Sequence, residues 1–406
     1  MDKITKAIRE LYEDFPYPAG SAVLRVASDA RYLLSLGKLS RPTNTPIKVL
    51  DAGCGRGVGL LGCATLQPDV EFLGIDINRV ALKEVEEQIE VRGLNNVKVQ
   101  EVNLMTLEGL EVPEGGFDVI YSSGVLHHLS DPDEGLRRLK SVLAPHGIIS
   151  LMVYASVQRQ QLYRLINATK LLVPDDVPLR ERIDPTRMLA EYCGTAMLKG
   201  TTFESVSEVE DTEFVDLCLN PNEISYTVES MWELLNKTGM KFLRWTFPRQ
   251  WSAEIFPEGE LRDRARRLNE YDLYRLVELV NNKRFELIIT HQDNDRRPLF
   301  AAEDLETTLF AVNSEIVFSI SNRNLRKGLM TESLTYKHPG DNEPVVCTNF
   351  AYMTALAILR EQFEPFTADS FVEIMKQDGI PAVNAMDALM HFLEQDVLYR
   401  PHIVDF

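Results

Sequence analysis

The stretch 47–59, Ile47-Lys48-Val49-Leu50-Asp51-Ala52-Gly53-Cys54-Gly55-Arg56-Gly57-Val58-Gly59, decides how this chain is read. Ile47, Val49 and Leu50 form a short apolar run with β-branched members, too brief for a helix and bounded by turn residues. Asp51 and then four glycines follow at once. Lacking a Cβ, glycine lets a backbone bend sharply and approach a ligand closely. Residues 60–66 read as helix, so the glycines join a strand end to a helix N-terminus. The unpaired N–H groups and partial positive charge there suit the anionic end of a cofactor. Taken alone, the stretch also fits an ordinary turn between strand and helix.

Downstream, 70–75 reads as a second strand ending at Asp76. Asn78 caps a helix over about 79–92, with Leu82, Val85 and Ile89 inward and Gly93 ending it. A third strand over 97–102 ends at Asn103, and a fourth over 117–121 ends at Ser122, Ser123 and Gly124. Asp131-Pro132-Asp133-Glu134 is a helix start, with Asp at the cap, Pro at the first position and Glu at the third. That helix is expected to run to near Gly147, and 148–154 is a fifth strand. Strands alternating with helices at this spacing predict an α/β fold, a doubly wound and mainly parallel sheet with helices on both faces. Ligands bind such sheets at the carboxyl ends of the strands. Asp51, Asp76, Asn103 and Ser122 are therefore expected to converge on one crevice.

Upstream, residues 2–15 place Ile4, Ile8, Leu11, Tyr12 and Phe15 on one helical face. Phe15-Pro16-Tyr17-Pro18 runs extended, because each proline pushes its predecessor out of the α region. A second helix is expected over 22–36, stopped by Gly37. Beyond the fifth strand, 155–240 reads as a helical insert with an acidic stretch (Glu204, Glu208, Glu210, Asp211, Glu213, Asp216) and a capped helix after Thr227. Residues 241–245 and 284–290 bring the strand count to seven, with a long charged helix over 258–282 between them. A polar, proline-terminated run at 292–298 marks a boundary. Short strands near 306–320 and 330–336 follow, then helices near 349–363, 367–378 and 383–395 and an extended end over 397–406. Helices followed by a short hairpin suggest a winged-helix-like, α+β module. The domains expected are thus an N-terminal helical lid (1–46), the sheet domain with its insert (47–292) and a C-terminal accessory module (293–406).

The 406 residues carry a net charge of −18, which repels a phosphate backbone, so nucleic acid is not an expected partner. The cluster Arg262, Arg264, Arg266 and Arg267 is interleaved and flanked by acids and reads as a solvated helix face. Five scattered cysteines show neither a C-x-x-C pair nor Cys/His spacing typical of zinc, so no metal is expected and the thiols read as reduced. The charged N-terminus is no secretory signal, and no apolar run nears the ~20 residues that span a bilayer. A cytoplasmic protein without membrane contact is the expectation.

A dinucleotide fingerprint needs glycine three residues after its second glycine. Counted from Gly53 and Gly55, that position is Val58, which disfavours an NAD(P) oxidoreductase. VLDAGCGRG (49–57), the acid at Asp76 and FDVIYSSGVLHHLSDP (117–132) instead resemble the class I S-adenosylmethionine (SAM)-dependent methyltransferases, in particular those with a type 11/12-like domain. The resemblance is close over 47–154 and looser over 10–46 and 221–290. It implies a Rossmann-like fold, SAM as cofactor and S-adenosylhomocysteine (SAH) as product. It also implies that Asp51 and the backbone at Gly53, Cys54 and Gly55 hold the methionine moiety. Asp76 would take the ribose hydroxyls, with Ile77 beside the adenine. Asn103, with Leu104 next to it, stands where many relatives have aspartate near the adenine amino group, and its amide oxygen can accept that hydrogen bond. Ser122 would lie beside the sulfonium.

Methyl transfer from a sulfonium is an in-line displacement, and alignment alone can supply ~7–11 kcal/mol of its barrier. A base is needed only when the acceptor must lose a proton, and His127 and His128 sit where one could act. Tyr12, Phe15 and Tyr17 are candidates to fold over the cofactor, where an aromatic face attracts the positive sulfur. The segment LNPNEISYTVESMWELL (219–235) also looks like part of larger bacterial relatives. The activity expected is methyl transfer to an O, N or C nucleophile of a small-molecule or natural-product acceptor. A peptide or protein side chain is the alternative acceptor, and a non-catalytic SAM-binding protein is a further alternative.

Overall fold

The structure is a computed structural model that describes residues 1–18, 29–37, 45–281, 283–294, 309–323, 331–339, 341 and 343–401. It divides into two compact units, residues 1–27 with 46–294, and residues 28–45 with 295–406. Helix α1 (Lys3–Asp14) lies in the first unit and α2 (Ala30–Gly37) in the second. The stretch 1–46, expected to act as one lid, is therefore shared between the units. Of the helix expected over 22–36, residues 22–28 lie outside the described residues.

In the first unit, β1 (Ile47–Ala52), α3 (Val58–Leu66), β2 (Val70–Asp76), α4 (Arg79–Arg92), β3 (Val97–Glu101) and β4 (Phe117–Ser123) follow in turn. Then come α5 (Pro132–Val142), β5 (Leu143–Val153) and the insert helices α6 (Ser156–Leu172), α7 (Leu179–Gly194) and α8 (Asp211–Cys218). Helix α9 (Val228–Thr238), β6 (Met240–Trp245), α10 (Glu260–Ala265), α11 (Glu270–Val280) and β7 (Phe285–His291) complete it. The seven strands form one sheet in the order β3-β2-β1-β4-β5-β7-β6, with β1 to β5 parallel and β7 antiparallel to both neighbours. Val49, Leu50, Val119, Ile120, Ile148 and Ile149 are fully buried, as expected of central parallel strands covered on both faces. The order reverses between β1 and β4, so the crevice at their carboxyl ends is the natural ligand site.

Two expectations change in detail. The fifth strand begins at Leu143, not 148, because the chain enters the sheet directly after α5. Gly147 permits this: a Cβ there would stand 2.7 Å from Leu143 and 2.9 Å from the Phe117 carbonyl. The single helix expected over 258–282 is two helices, because the Asn269 side chain accepts from the Asp272 N–H and starts a new one. The arginine cluster there is charge-matched, with Arg262, Arg264 and Arg266 each bridged to Glu254, Glu258 or Glu260. Trp245 and Trp251 are buried and stack at 3.8 Å, as core residues.

Leu11 of helix α1, with Phe15, joins Leu162, Leu165, Ile183, Phe214 and their neighbours in a separate core made with the insert helices. The second unit contains β8 (Leu309–Val312), β9 (Val317–Arg323), β10 (Thr331–Lys337), β11 (Val345–Cys347), α12 (Phe350–Arg360), β12 (Phe366–Thr367), α13 (Ala368–Gln377), α14 (Ala382–Glu394) and β13 (Leu398–Tyr399). Its hairpin, β9–β10, precedes the helices instead of following them. Strand β13 closes a second small sheet, β12-β8-β13, by pairing with β8 from ahead of the helices. Among the described residues no helix is long and apolar enough to cross a membrane.

Gly74 sets how closely α3 approaches the sheet: a Cβ on it would stand 2.4 Å from Leu60 and 2.9 Å from the Cys54 sulfur. Gly74→Ala should therefore lower unfolding free energy by about 1–3 kcal/mol, read from urea denaturation.

Candidate functional site

Gly53, Gly55 and Gly57 all have positive φ (87°, 51° and 70°). A Cβ on Gly53 would stand 2.3 Å from the Val125 side chain, so the loop passes where only glycine fits. The Gly53 and Cys54 N–H groups donate to the Ile75 carbonyl (2.8 and 3.0 Å), pinning the loop to the end of β2. The Gly55 N–H donates to Asp76 Oδ2 at 2.8 Å, and the Asn78 N–H donates to Oδ1 at 2.8 Å. Asn78 in turn caps α4 through the Val80 and Ala81 N–H groups, and its Nδ2 donates to the Tyr12 carbonyl at 2.9 Å.

Asp51 stands at the end of the neighbouring strand, and its carboxylate has no hydrogen-bond partner among the described residues. Burial, reinforced by the charge of Asp76, pushes its pKa up to about 7. Asp76 is raised too, by burial, against the N–H groups of Asn78, Gly55 and Ile77 that hold its charged form. Burial, with the two aspartates, lifts the Cys54 thiol well above its usual range, so it stays protonated. A carboxylate pair of this kind favours a bound cationic or hydroxylic group.

Ile77 is half-buried just beyond Asp76, and Leu104 is buried. The Asn103 amide oxygen is turned onto the Met105 N–H at 2.9 Å, closing an Asx turn instead of standing open for an adenine amino group. One lone pair of that oxygen is thereby engaged, and the Leu104 N–H beside it has no partner among the described residues. Tyr17 is 41% exposed, and its carbonyl lies 3.6 Å from where a Cβ on Gly55 would be. Arg56 donates to the Pro18 carbonyl at 2.6 Å and pairs with Glu84 at 2.7 Å, holding 15–18 along the glycine loop.

Ser122 is fully buried, and its hydroxyl has no hydrogen-bond partner among the described residues. His127 is equally buried, with both ring nitrogens unpartnered among the described residues, and burial, His128 and Arg159 hold its pKa well below the usual value. His127 is therefore neutral. Its ring stacks on Tyr154 at 3.8 Å. His128 Nδ1 lies 2.9 Å from the Asn222 carbonyl. A carbonyl only accepts, so Nδ1 carries hydrogen, and in the neutral ring the lone pair sits on Nε2.

The structure adds residues that the motifs did not single out. Arg159 and Glu223 form a buried, bidentate pair with both contacts at 2.7 Å, and the guanidinium covers the second face of Tyr154 at 3.7 Å. The Tyr12 hydroxyl donates to buried Asp216 at 2.5 Å and accepts from Asn220 at 3.3 Å. Asn220, Asn222 and Glu223 fall within 219–235, so that segment carried a signal, whereas Tyr154 and Arg159 had none.

A methyltransferase-domain family model matches residues 44–178. An uncharacterised protein of Synechococcus is 30% identical over 303 residues, which are 69% of this chain and 70% of that protein. An uncharacterised methyltransferase of Schizosaccharomyces pombe is 31% identical over 107 residues, 25% of this chain and 38% of that one. Among solved structures, PKMT2 from Rickettsia typhi in complex with AdoHcy superposes with a TM-score of 0.65 at 18% identity, over 95% of this chain and 77% of that one. The chain belongs to the class I SAM-dependent methyltransferases. SAM is the cofactor of that family, and an open carboxylate at Asp51 beside a loop only glycine can form fits its cationic, amino-acid end.

A ligand ammonium bound against Asp51 requires the carboxylate ionised. SAH affinity should fall by up to about tenfold per pH unit below about pH 7, and Asp51→Asn should flatten the profile in calorimetric titrations. In the free protein the sign is opposite. A folded pKa near 7, above the ordinary 3.8, gives stability that is present at low pH and lost as pH rises through about 7.

Proposed function

We propose that this methyltransferase acts on a small-molecule acceptor whose nucleophile carries a proton, and that His128 removes that proton. The supporting observation is the Asn222 carbonyl, which fixes the His128 tautomer and leaves Nε2 as the basic atom. Asp76 takes the ribose hydroxyls, using oxygen lone pairs that the Gly55 and Asn78 N–H groups leave open. Asp51 and the backbone at Gly53, Cys54 and Gly55 hold the methionine end, and Ile77 lies against the adenine. The Leu104 N–H, next to Asn103, meets an adenine ring nitrogen. Ser122 lies beneath the surface of the crevice, and Tyr17 closes the site from the side of the glycine loop. Bound SAM supplies an electrophilic methyl on a sulfonium. The residues then only orient the acceptor, exclude water and accept one proton.

His127, neutral and stacked on Tyr154, is a support for His128 and not the base. A second reading, a peptide or protein side chain as acceptor, is favoured by the second unit. That unit has its own core and an open groove of about 420 Å³ lined by Leu309, Ile358, Phe366, Phe371 and Ile374.

The test is SAH release from SAM with a panel of small hydroxyl, amine and thiol acceptors beside short peptides. Turnover is expected with a small acceptor and should fall about 10²–10⁴-fold in His128→Asn, with SAH affinity unchanged. Full turnover in that variant contradicts the base, and turnover confined to peptides selects the second reading.

A further inference from the structure

Three neighbouring polar groups, on Tyr154, Asp216 and His128, keep hydrogen-bonding capacity to spare. Tyr154 is held rigidly: His127 stacks on one face at 3.8 Å, the Arg159 guanidinium covers the other at 3.7 Å, and the His128 ring meets its edge at 5.8 Å and 87°. The Arg159 charge is committed to Glu223 through two 2.7 Å contacts. The Tyr154 hydroxyl itself has no hydrogen-bond partner among the described residues. Burial first, then the charge of Asp216, raises its pKa, so it remains a neutral phenol.

Asp216 is the second group. It is 4% exposed, yet no cation pairs with it among the described residues. One carboxylate oxygen accepts from the Tyr12 hydroxyl at 2.5 Å, and the Tyr12 ring meets His128 edge-on at 6.4 Å. A buried carboxylate with a single neutral donor is costly unless something else donates to it. The third group is Nε2 of His128, an acceptor by its tautomer.

We propose that Tyr154 and Asp216, together with Nε2 of His128, form the acceptor subsite, which takes a nucleophile presenting N–H or O–H donors. The proposal rests on the cofactor reading above and deepens it. Asp216 accepts from one donor and fixes the incoming group. The Tyr154 oxygen accepts from or donates to the nucleophilic heteroatom and sets its angle of approach. The Arg159–Glu223 pair acts through Tyr154 as a positioning device, holding the phenol in one rotamer. An apolar carbon acceptor would leave Asp216 without the donor that its burial calls for.

The subsite can be read with cofactor analogues alone. Sinefungin carries an ammonium on carbon where SAM carries its sulfonium methyl, so its N–H groups reach the atoms that would meet the acceptor. Calorimetry on the full chain should show sinefungin binding at least about tenfold more tightly than SAH. Tyr154→Phe keeps the ring and its stacking, and Asp216→Asn keeps an acceptor for Tyr12. Each should lower the sinefungin preference by about threefold or more, with SAH affinity within about twofold of the wild type. A wild type without the preference, or variants that both retain it in full, would overturn the subsite. Failure of the wild type to bind SAH would instead overturn the cofactor reading.

Discussion

The Asp76 carboxylate holds the site together. One oxygen takes the Gly55 N–H from the loop after β1, and the other takes the Asn78 N–H at the start of α4. Charge-assisted bonds of this kind are stronger than neutral ones. They orient a loop whose glycines have conformations no other residue adopts cheaply. Through Asn78 the same node reaches the Tyr12 carbonyl, and through the Tyr12 hydroxyl it reaches Asp216 and Asn220 in the insert. A chain of hydrogen bonds therefore runs from the end of β2 to the insert helices.

Helix α1 packs with the insert. Leu11 and Phe15 build a core with α6, α7 and α8, while Tyr12 spans from that core to the α4 cap. Arg159 and Glu223 are almost wholly removed from solvent, and a buried pair of this kind is costly unless both partners are matched. The bidentate geometry supplies that match, and the guanidinium doubles as a lid on Tyr154. Such a pair is weak evidence of added stability. Its placement against the Tyr154–His127 stack points to positioning.

The sheet was legible because its signals are local. Short β-branched runs ended in Asp51, Asp76 and Ser122, and each run is a strand of the sheet at the expected place. The glycine count and the segment 117–132 pointed to the family for the same reason. Tertiary contacts were not legible. Nothing near Asn103 in sequence says that its amide oxygen turns back on Met105, and nothing in Arg159 announces Glu223, 64 residues on. Asp216 lay within an acidic run, and only its burial and its bond to Tyr12 of α1 distinguish it from the exposed acids of that run. The break at Asn269 and the start of the fifth strand were missed because a cap and a register depend on one or two residues.

The most direct measurement is a crystal structure of the protein with SAH. The account predicts the ribose hydroxyls on Asp76, the amino group on Asp51, and the sulfur turned towards His128 and Tyr154. Density for the adenosyl group anywhere other than the carboxyl ends of β1, β2 and β4, or a ribose turned away from Asp76, would contradict it.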